Sequence, residues 1–175
     1  MFSIHARFSI MSHKFWVLYY IVNVCWKLIW RAITHDLSKF GEGEWPIFSQ
    51  YTRKLKHIEY LSKEYKDNLR KMKPALDHHY EFNDHHPEHE TKFFERASFL
   101  QLIEMLCDWK AATRKISKGK IIESISAGRT RWGYDGKMEA MLLRTAGELG
   151  MADLYDSLRY YRAKTEEEEG EKTDG

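Results

Sequence analysis

Apolar and polar positions follow one another along most of this chain with the period of a helix. Between residues 47 and 73, apolar side chains recur every three or four positions, at Ile47, Tyr51, Leu55, Ile58, Leu61, Tyr65, Leu69 and Met72. That spacing places them on one face of an amphipathic helix. No segment shows the strict alternation of a half-buried strand, so the pattern predicts an all-α fold.

Helix-breaking and helix-capping residues divide this pattern into predicted elements. Pro46 suits the first turn of a helix, whereas Gly41, Gly43 and Pro74 are expected to end or interrupt one. The first predicted helix is capped by Ser12 and continues through the apolar segment 15–26. Further helices are predicted over residues 24–40, 47–73, 75–83, 93–115 and 138–164. Residues 117–136 are rich in Gly, Ser and basic side chains and are predicted to form a loop.

The length of the chain bounds its organisation. A chain of 175 residues suffices for one hydrophobic core, so we predict a single helical domain over residues 1–164, followed by an acidic, disordered tail over residues 165–175. The apolar segment 15–26 is too short to cross a bilayer, and the first residues lack the arrangement of a signal peptide. We therefore expect a cytoplasmic protein in which Cys25 and Cys107 are buried thiols.

The net charge of +2 hides a basic body, because the residues outside the acidic tail include 27 Lys and Arg against 20 Asp and Glu. Charge this diffuse is weak evidence for a nucleic-acid groove. The basic segment 118–131 could contact the phosphate and base of a nucleotide, or it could be a solvated loop that Trp132 anchors to the core. The glycines of this segment do not form a P-loop motif. The chain also contains no nucleophile-elbow motif and both Cys are expected to be structural, so nucleophilic catalysis has no support.

The adjacent residues His35 and Asp36 are the strongest sign of chemistry, together with His13 upstream and Asp108 far downstream. Each offers a nitrogen or oxygen atom of the kind that divalent transition metals bind. Asp108 lies in a segment whose apolar side chains cover almost every face of the predicted helix. A carboxylate there is costly to bury unless it pairs with a base or binds a metal, and the His-Asp pair favours the metal.

The order His…His-Asp…Asp on an all-helical chain resembles the HD superfamily of metal-dependent phosphohydrolases over about residues 12–115. The matching residues are His13, His35, Asp36 and Asp108, and Lys39 matches the Lys that often follows the pair in that superfamily. The strings HDLSKF, NDHHPEH and MLCDWKA are similar to a narrower family of small, often phage-encoded HD-like proteins. The resemblance implies a single HD-type helical domain with a metal centre between core helices.

By this resemblance, the four matching residues hold one divalent metal, for which Mn, Fe, Co, Ni and Zn are compatible and Mg is an option. Such an ion lowers the pKa of bound water and polarises a phosphoryl oxygen. Lys39 would neutralise charge on the phosphate. Glu42 and Glu44 are candidates for a general acid or base, although both could equally be surface acids at the start of a helix.

A dense cluster of histidines bears on the number of metals, since five of the nine histidines lie within residues 78–89. Some HD enzymes bind a second metal through two further histidines between the pair and the last Asp. Here His79 and one of His85 or His86 could do so, or the same residues could recognise a phosphate or base, or be surface histidines. The side chains available to hold the other ring nitrogens are Asp77, Asn83 and Asp84.

The resemblance therefore implies a phosphomonoesterase or phosphodiesterase that acts on a nucleotide or a related small phosphorylated molecule. One alternative is a non-catalytic protein that keeps the metal pocket to bind a nucleotide or an interaction partner. A nucleic-acid-binding module is a further alternative, which the absence of a concentrated basic helix disfavours. The aromatic-rich C-terminal helix could form a homodimer or pack on its own core, through Leu154, Tyr155, Leu158, Tyr160 and Tyr161.

Overall fold

The computed structural model describes residues 4–55, 58, 62–114, 120–152, 156, 159, 160 and 162. Within these residues it contains α-helices and one short 3-10 helix and no strand, so the predicted all-α fold is confirmed. The α-helices are α1 (Ile4–Thr34), α2 (Trp45–Leu55), α3 (Lys63–Phe82), α4 (Phe93–Arg96), α5 (Phe99–Thr113), α6 (Ile121–Trp132) and α7 (Gly136–Glu148), and the 3-10 helix is Leu37–Phe40. None of the described helices combines the length and the apolar character that crossing a membrane requires.

The chain divides into two compact units, residues 1–83 and 84–175. The first contains α1 to α3 and the second α4 to α7. The prediction of one domain over residues 1–164 is not tested by this division and stays a prediction. The predicted acidic tail lies outside the described residues.

In the first unit, α1 is one unbroken helix of 31 residues, so the predicted division into two helices is wrong. Its sequence contains no Gly or Pro, and nothing therefore ends the helix at Ser12 or near Val24. The predicted second helix also extends too far, because α1 ends at Thr34. His35 and Asp36 form the turn that follows, ahead of the 3-10 helix Leu37–Phe40.

The rest of the first unit is a pair of packed helices, α2 and α3. The predicted helix over residues 47–73 is wrong in extent, since α3 begins afresh where the Ser62 hydroxyl accepts a hydrogen bond from the backbone N–H of Tyr65 (3.1 Å). Pro74 lies inside α3 and does not interrupt it. Among the described residues of this unit, the buried ones are Glu44, Asn68, Met72, Ala75 and His79. Three of these five are polar, so this core is small and largely polar.

The second unit has the main hydrophobic core, which α4 to α7 enclose. The predicted helix over residues 93–115 is in fact two helices, because Ser98 starts α5 with a reciprocal capping box to Gln101. Asp135 caps α7 by accepting a hydrogen bond from the backbone N–H of Met138 (2.9 Å). The fully buried apolar side chains of this core include Met105, Leu106, Ile121, Ile125, Leu142 and Leu143. The predicted last helix over 138–164 begins two residues earlier than expected, and α7 ends at Glu148.

The predicted loop over residues 117–136 is wrong, since most of it forms α6. Ile121, Ile125, Gly128 and Trp132 recur every three or four residues, and the first three are buried. Gly128 permits close packing of aromatic side chains, a role that an interpretation from composition misses. A Cβ atom there would lie 2.8 Å from the Tyr134 hydroxyl and 3.0 Å from Trp132, so only Gly permits this packing.

The predicted burial of both thiols is wrong as well, because Cys25 and Cys107 are exposed. Their apolar neighbours suggested burial, but those of Cys25 are themselves exposed on α1. Of the C-terminal residues predicted to pair or pack, Tyr160 is described. It packs against the core of its own unit, and its hydroxyl donates a hydrogen bond to Ser126 Oγ (2.7 Å). Leu154, Tyr155, Leu158 and Tyr161 lie outside the described residues.

Candidate metal centre

The turn after α1 brings His35, Asp36 and Lys39 together. Asp36 adopts the left-handed conformation (φ 57°, ψ 20°), which Asp tolerates better than most residues with a Cβ atom. One carboxylate oxygen, Oδ2, lies 2.6 Å from Lys39 Nζ and 3.3 Å from His35 Nε2. The other oxygen, Oδ1, lies 3.3 Å from Nε2 of His79 on α3. Asp36 is therefore the point at which the turn and α3 meet.

Glu44 has no exposed surface and holds two consecutive histidines of α3. Its Oε1 lies 2.9 Å from His78 Nδ1, and its Oε2 lies 2.9 Å from His79 Nδ1. The buried carboxylate is a stronger acceptor than any neutral group nearby, so we assign the Nδ1 proton of His79 to this bond. His79 Nε2 is then directed at Asp36. We call His35, Asp36, Glu44, His78 and His79 the N-terminal cluster.

Neighbouring side chains fix the His79 ring further. Asn83 Nδ2 donates hydrogen bonds to Ser38 Oγ (2.6 Å) and to the carbonyl of His79 (2.8 Å). The Phe48 ring meets His79 edge-on, with ring centroids 6.0 Å apart. The imidazole is thus contacted by Ser38 of the 3-10 helix, by Phe48 of α2 and by Asn83 at the end of its own helix.

Asp36 is ionised at neutral pH. Its partial burial alone would raise the pKa of the carboxyl, but hydrogen bonds from His35 and Lys39, together with the Lys39 charge, hold that pKa well below its usual range. A permanently negative oxygen pair beside imidazole nitrogens is a donor set that divalent transition metals prefer.

The spacing of the donor atoms fits a metal ion. An N···O distance of 3.3 Å, as between His79 Nε2 and Asp36 Oδ1, is what two ligands of a tetrahedral ion span with bonds of about 2.1 Å at an angle near 105°. His35 Nε2 has the same distance to the other Asp36 oxygen. The Glu44–His79–Asp36 series also matches the arrangement in which a carboxylate holds a metal-binding imidazole by its second nitrogen.

The second unit has its own set of donors, His85, His86, Glu104 and Asp108, which we call the C-terminal cluster. Ligand atoms of His85, His86 and Asp108 lie within 4.8 Å of one another, a spacing that one ion can bridge. His85 is buried, and its Nδ1 lies 3.3 Å from Oε1 of Glu104, which is also buried. Glu104 and Asp108 are four residues apart on one face of α5.

The structure brings some of the residues predicted from sequence together and separates others. His13 lies on α1 about 30 Å along the helix axis from the His35–Asp36 pair, so it is not part of the N-terminal cluster. His79 joins His35 and Asp36 in the first unit, whereas His85 and His86 join Asp108 in the second. The predicted ligand set of His13, His35, Asp36 and Asp108 is therefore wrong in His13, and the assignment of Asp108 together with His35 and Asp36 stays a prediction.

The two acids proposed for proton transfer differ in their surroundings. Glu42 is exposed, as the surface interpretation expects, whereas Glu44 is buried and holds imidazoles. Of the predicted supporting side chains, Asn83 contacts His79 as expected. Asp77 instead pairs with Lys73 in solvent (2.6 Å), and Asp84 accepts a hydrogen bond from Gln101 (3.1 Å).

The sequence interpretation missed the role of Glu104, and the supporting contacts of Ser38 and Gly43. Glu104 could have been found, because it stands four residues before Asp108 in an apolar helix and therefore shares its face. Gly43 carries no sequence signal beyond its turn propensity. A Cβ atom at this position would lie 2.9 Å from His78 Nε2, so the absence of a side chain lets His78 reach Glu44.

Replacing Gly43 by alanine is expected to displace the His78 ring and to weaken its bond to Glu44, which lowers the free energy of unfolding by about 1 kcal/mol. Chemical denaturation of wild type, Gly43→Ala, His78→Ala and the double variant measures this. Because the clash is with His78, Gly43→Ala should cost nothing further in the His78→Ala background. An equal cost in both backgrounds would show that the substitution acts elsewhere.

Comparison with known proteins gives a family but no activity. No curated protein and no solved structure matches the chain. Residues 3–148, which include both clusters, match the family of unknown function DUF5662. The match covers well over half of the chain, and the protein therefore belongs to the DUF5662 family.

Proposed function

We propose that this protein is a cytoplasmic metal-dependent phosphohydrolase of the HD type, acting on a nucleotide or a related small phosphorylated molecule. The observation that carries the proposal is the buried Glu44 carboxylate, which holds His79 by Nδ1 so that Nε2 is directed at the ionised Asp36. The combination of a buried acid, a fixed imidazole and a second carboxylate has the donor types and spacing of a catalytic metal site.

The energetics of the first unit support a functional origin for this cluster. Burying a carboxylate is costly even when it is paired, and apolar side chains of similar size usually stabilise a core better. The first unit nevertheless buries Glu44 and His79 beside only two apolar side chains, Met72 and Ala75, among its described residues. Burying these polar side chains in place of apolar ones does not stabilise so small a core. A role in binding a ligand would explain why they are buried.

A divalent ion held by Asp36 together with His35 or His79 would supply Lewis acidity, which lowers the pKa of bound water and polarises a phosphoryl oxygen. Glu44 orients the His79 ring so that Nε2 is directed at Asp36. Lys39 lies next to Asp36 with 41% of its side chain exposed, so its ammonium group can neutralise an arriving phosphate. The C-terminal cluster offers a further ligand set, through His85, His86 and Asp108, for a second ion.

Replacing Glu44 by glutamine tests the proposal. The amide keeps the size of the side chain but can no longer accept from both imidazoles as a carboxylate does, so metal affinity is expected to fall about 10- to 100-fold. The measurement is Mn²⁺ or Co²⁺ titration together with phosphate release from a panel of mononucleotides, cyclic nucleotides and guanosine polyphosphates. Glu42→Gln is the matched control, since Glu42 is exposed and two residues away.

We expect wild type and Glu42→Gln to release phosphate only with metal, and Glu44→Gln to need a higher metal concentration for the same rate. If wild type binds metal tightly and turns over none of the panel, the non-catalytic binding alternative replaces the hydrolase. If the protein binds nucleic acid with a salt-dependent affinity that persists after His35 and Asp36 are replaced, the nucleic-acid-binding alternative replaces the hydrolase.

A further inference from the structure

Helix α1 exposes almost its entire apolar surface. It is about 46 Å long, and none of its residues is buried. Phe8, Phe15 and Leu18 are 70%, 61% and 60% exposed, and the other large apolar side chains along α1 are 42–64% exposed, except Leu28, which is half-buried. A monomer rarely leaves a contiguous apolar surface above roughly 300–600 Å² in water, so this helix is expected to be covered in solution.

A heptad pattern runs along α1 and defines the surface to be covered. The spacing alternates between four and three residues without interruption, and every position is apolar, at Ile4, Phe8, Met11, Phe15, Leu18, Val22, Cys25, Ile29 and Ala32. A helix with this 3.5-residue repeat packs against another helix with the same repeat. We call these nine residues the α1 seam. A second copy of the chain carries a matching seam by necessity, because a two-fold interface brings the same surface patch from each copy together.

The area of the α1 seam is sufficient for a stable dimer. Its side chains bury roughly 80–100 Å² each when covered, which corresponds to about 1,400–1,800 Å² for the two copies together. Specific protein interfaces bury about 1,200–2,000 Å² in total. The pairing of one α1 with another therefore reaches the ordinary range without any contribution from the rest of the chain.

The distribution of charge favours a protein partner over a lipid surface. The helix contains four basic residues and no acidic one, and none of the bases lies in the seam. Lys14 flanks the seam, whereas Lys27 lies opposite to it. An interfacial membrane helix needs its charges gathered on one polar face, which α1 lacks.

We propose that α1 forms a two-stranded coiled coil with α1 of a second copy, through the α1 seam, and that the protein is a homodimer. This interface is independent of the metal clusters. Each chain contributes the same nine residues, and the core of the coil is apolar throughout.

Sedimentation velocity of wild type, Leu18→Lys and Tyr20→Lys tests the proposal at protein concentrations of about 1 to 50 µM. Leu18 lies in the seam and Tyr20 on the opposite side of the helix, and the two are equally exposed, at 60% and 62%. We expect wild type and Tyr20→Lys to be dimers. Leu18→Lys should raise the dissociation constant at least about 30-fold, since it places two charges in the centre of the seam.

Circular dichroism of each variant shows whether it keeps its helices. If Leu18→Lys does not fold, Met11→Lys in the seam and Ala6→Lys opposite to it repeat the comparison nearer the end of the helix. A wild-type monomer throughout this concentration range overturns the proposal, and so does a dimer that both lysine variants weaken equally. Binding of a monomer to vesicles of equimolar phosphatidylcholine and phosphatidylglycerol overturns it in favour of a lipid surface.

Discussion

Replacing Asp36 by asparagine is expected to lower the affinity of the N-terminal cluster for a divalent metal by at least about 100-fold. Asp36 is the carboxylate of the cluster that lies within 3.3 Å of both His35 and His79. Asparagine has the same shape and also tolerates the left-handed backbone at this position, so the turn should persist. Phosphoester hydrolysis should fall about 10²- to 10⁴-fold, because a catalytic metal contributes several kcal/mol to the barrier.

Metal titration and phosphate release, measured at saturating and limiting metal, provide the test. Asp77→Asn is the matched control, because Asp77 is also an aspartate bonded to a lysine, at 2.6 Å from Lys73 Nζ, but in solvent. It should leave metal affinity and rate unchanged. Equal losses in both variants would mean that Asp36 acts only through the net charge, and the metal assignment would then be wrong.

Replacing Arg129 by methionine is expected to lower the free energy of unfolding by about 3 kcal/mol. Its guanidinium lies 3.0 Å from Glu139, whose side chain is only 1% exposed, and it neutralises that buried charge. The same environment raises the pKa of Tyr134, mainly by burial and further by the Glu139 charge, while Arg129 opposes the rise. The expected loss in unfolding free energy lies at the lower end of the range for buried ion pairs, because the Arg129 side chain is 26% exposed and water reaches it.

Denaturant unfolding measures the loss, and Arg131→Met is the control. Arg131 lies two residues further along α6 and also pairs with a glutamate, at 2.8 Å from Glu88, but its side chain is 64% exposed. Exposed pairs contribute at most about 1 kcal/mol, so this variant should remain near wild type. A cost for Arg131→Met as large as that for Arg129→Met would contradict the assignment of a buried ion pair to α6 and α7.

The helical class was predictable because it depends on the spacing of apolar side chains, which recur every three or four positions in residues 47–73. The residues at which the helices end were harder to predict. Pro74 removes one backbone hydrogen bond, yet α3 continues through it, because the burial of Met72 and Ala75 on either side offsets that loss. Without Gly or Pro to mark an end, the end of α1 at Thr34 could not be read from the pattern.

The loop expected at residues 117–136 shows how composition can mislead. Gly, Ser and basic residues make up more than half of this segment, and its helical face is only four residues, one of which is Gly128. The stacking of Trp109 on Trp132, with ring centroids 5.1 Å apart, depends on a contact between α5 and α6 that no local pattern contains. Tertiary packing here outweighs the low helix propensity of the segment.

The metal-ligating residues of the candidate site were predictable from the sequence, but the residues that position them were not. His35, Asp36 and His79 are recognisable because imidazole and carboxylate groups are common metal ligands. The burial of Glu44 follows from the way α2 packs on α3, and the same carboxylate in solvent would be an ordinary surface acid. The separation of His13 from the His-Asp pair follows from the unbroken length of α1, which the sequence interpretation divided.

The most direct test of the metal assignment is the metal content, by elemental analysis, of protein purified without chelator, alongside the double variant Asp36→Asn/His79→Ala. We predict about one or two divalent transition-metal ions per chain in the wild type, with at least one lost from a variant that keeps its helical circular dichroism. Equal metal content in the two folded proteins would contradict a metal centre at the N-terminal cluster.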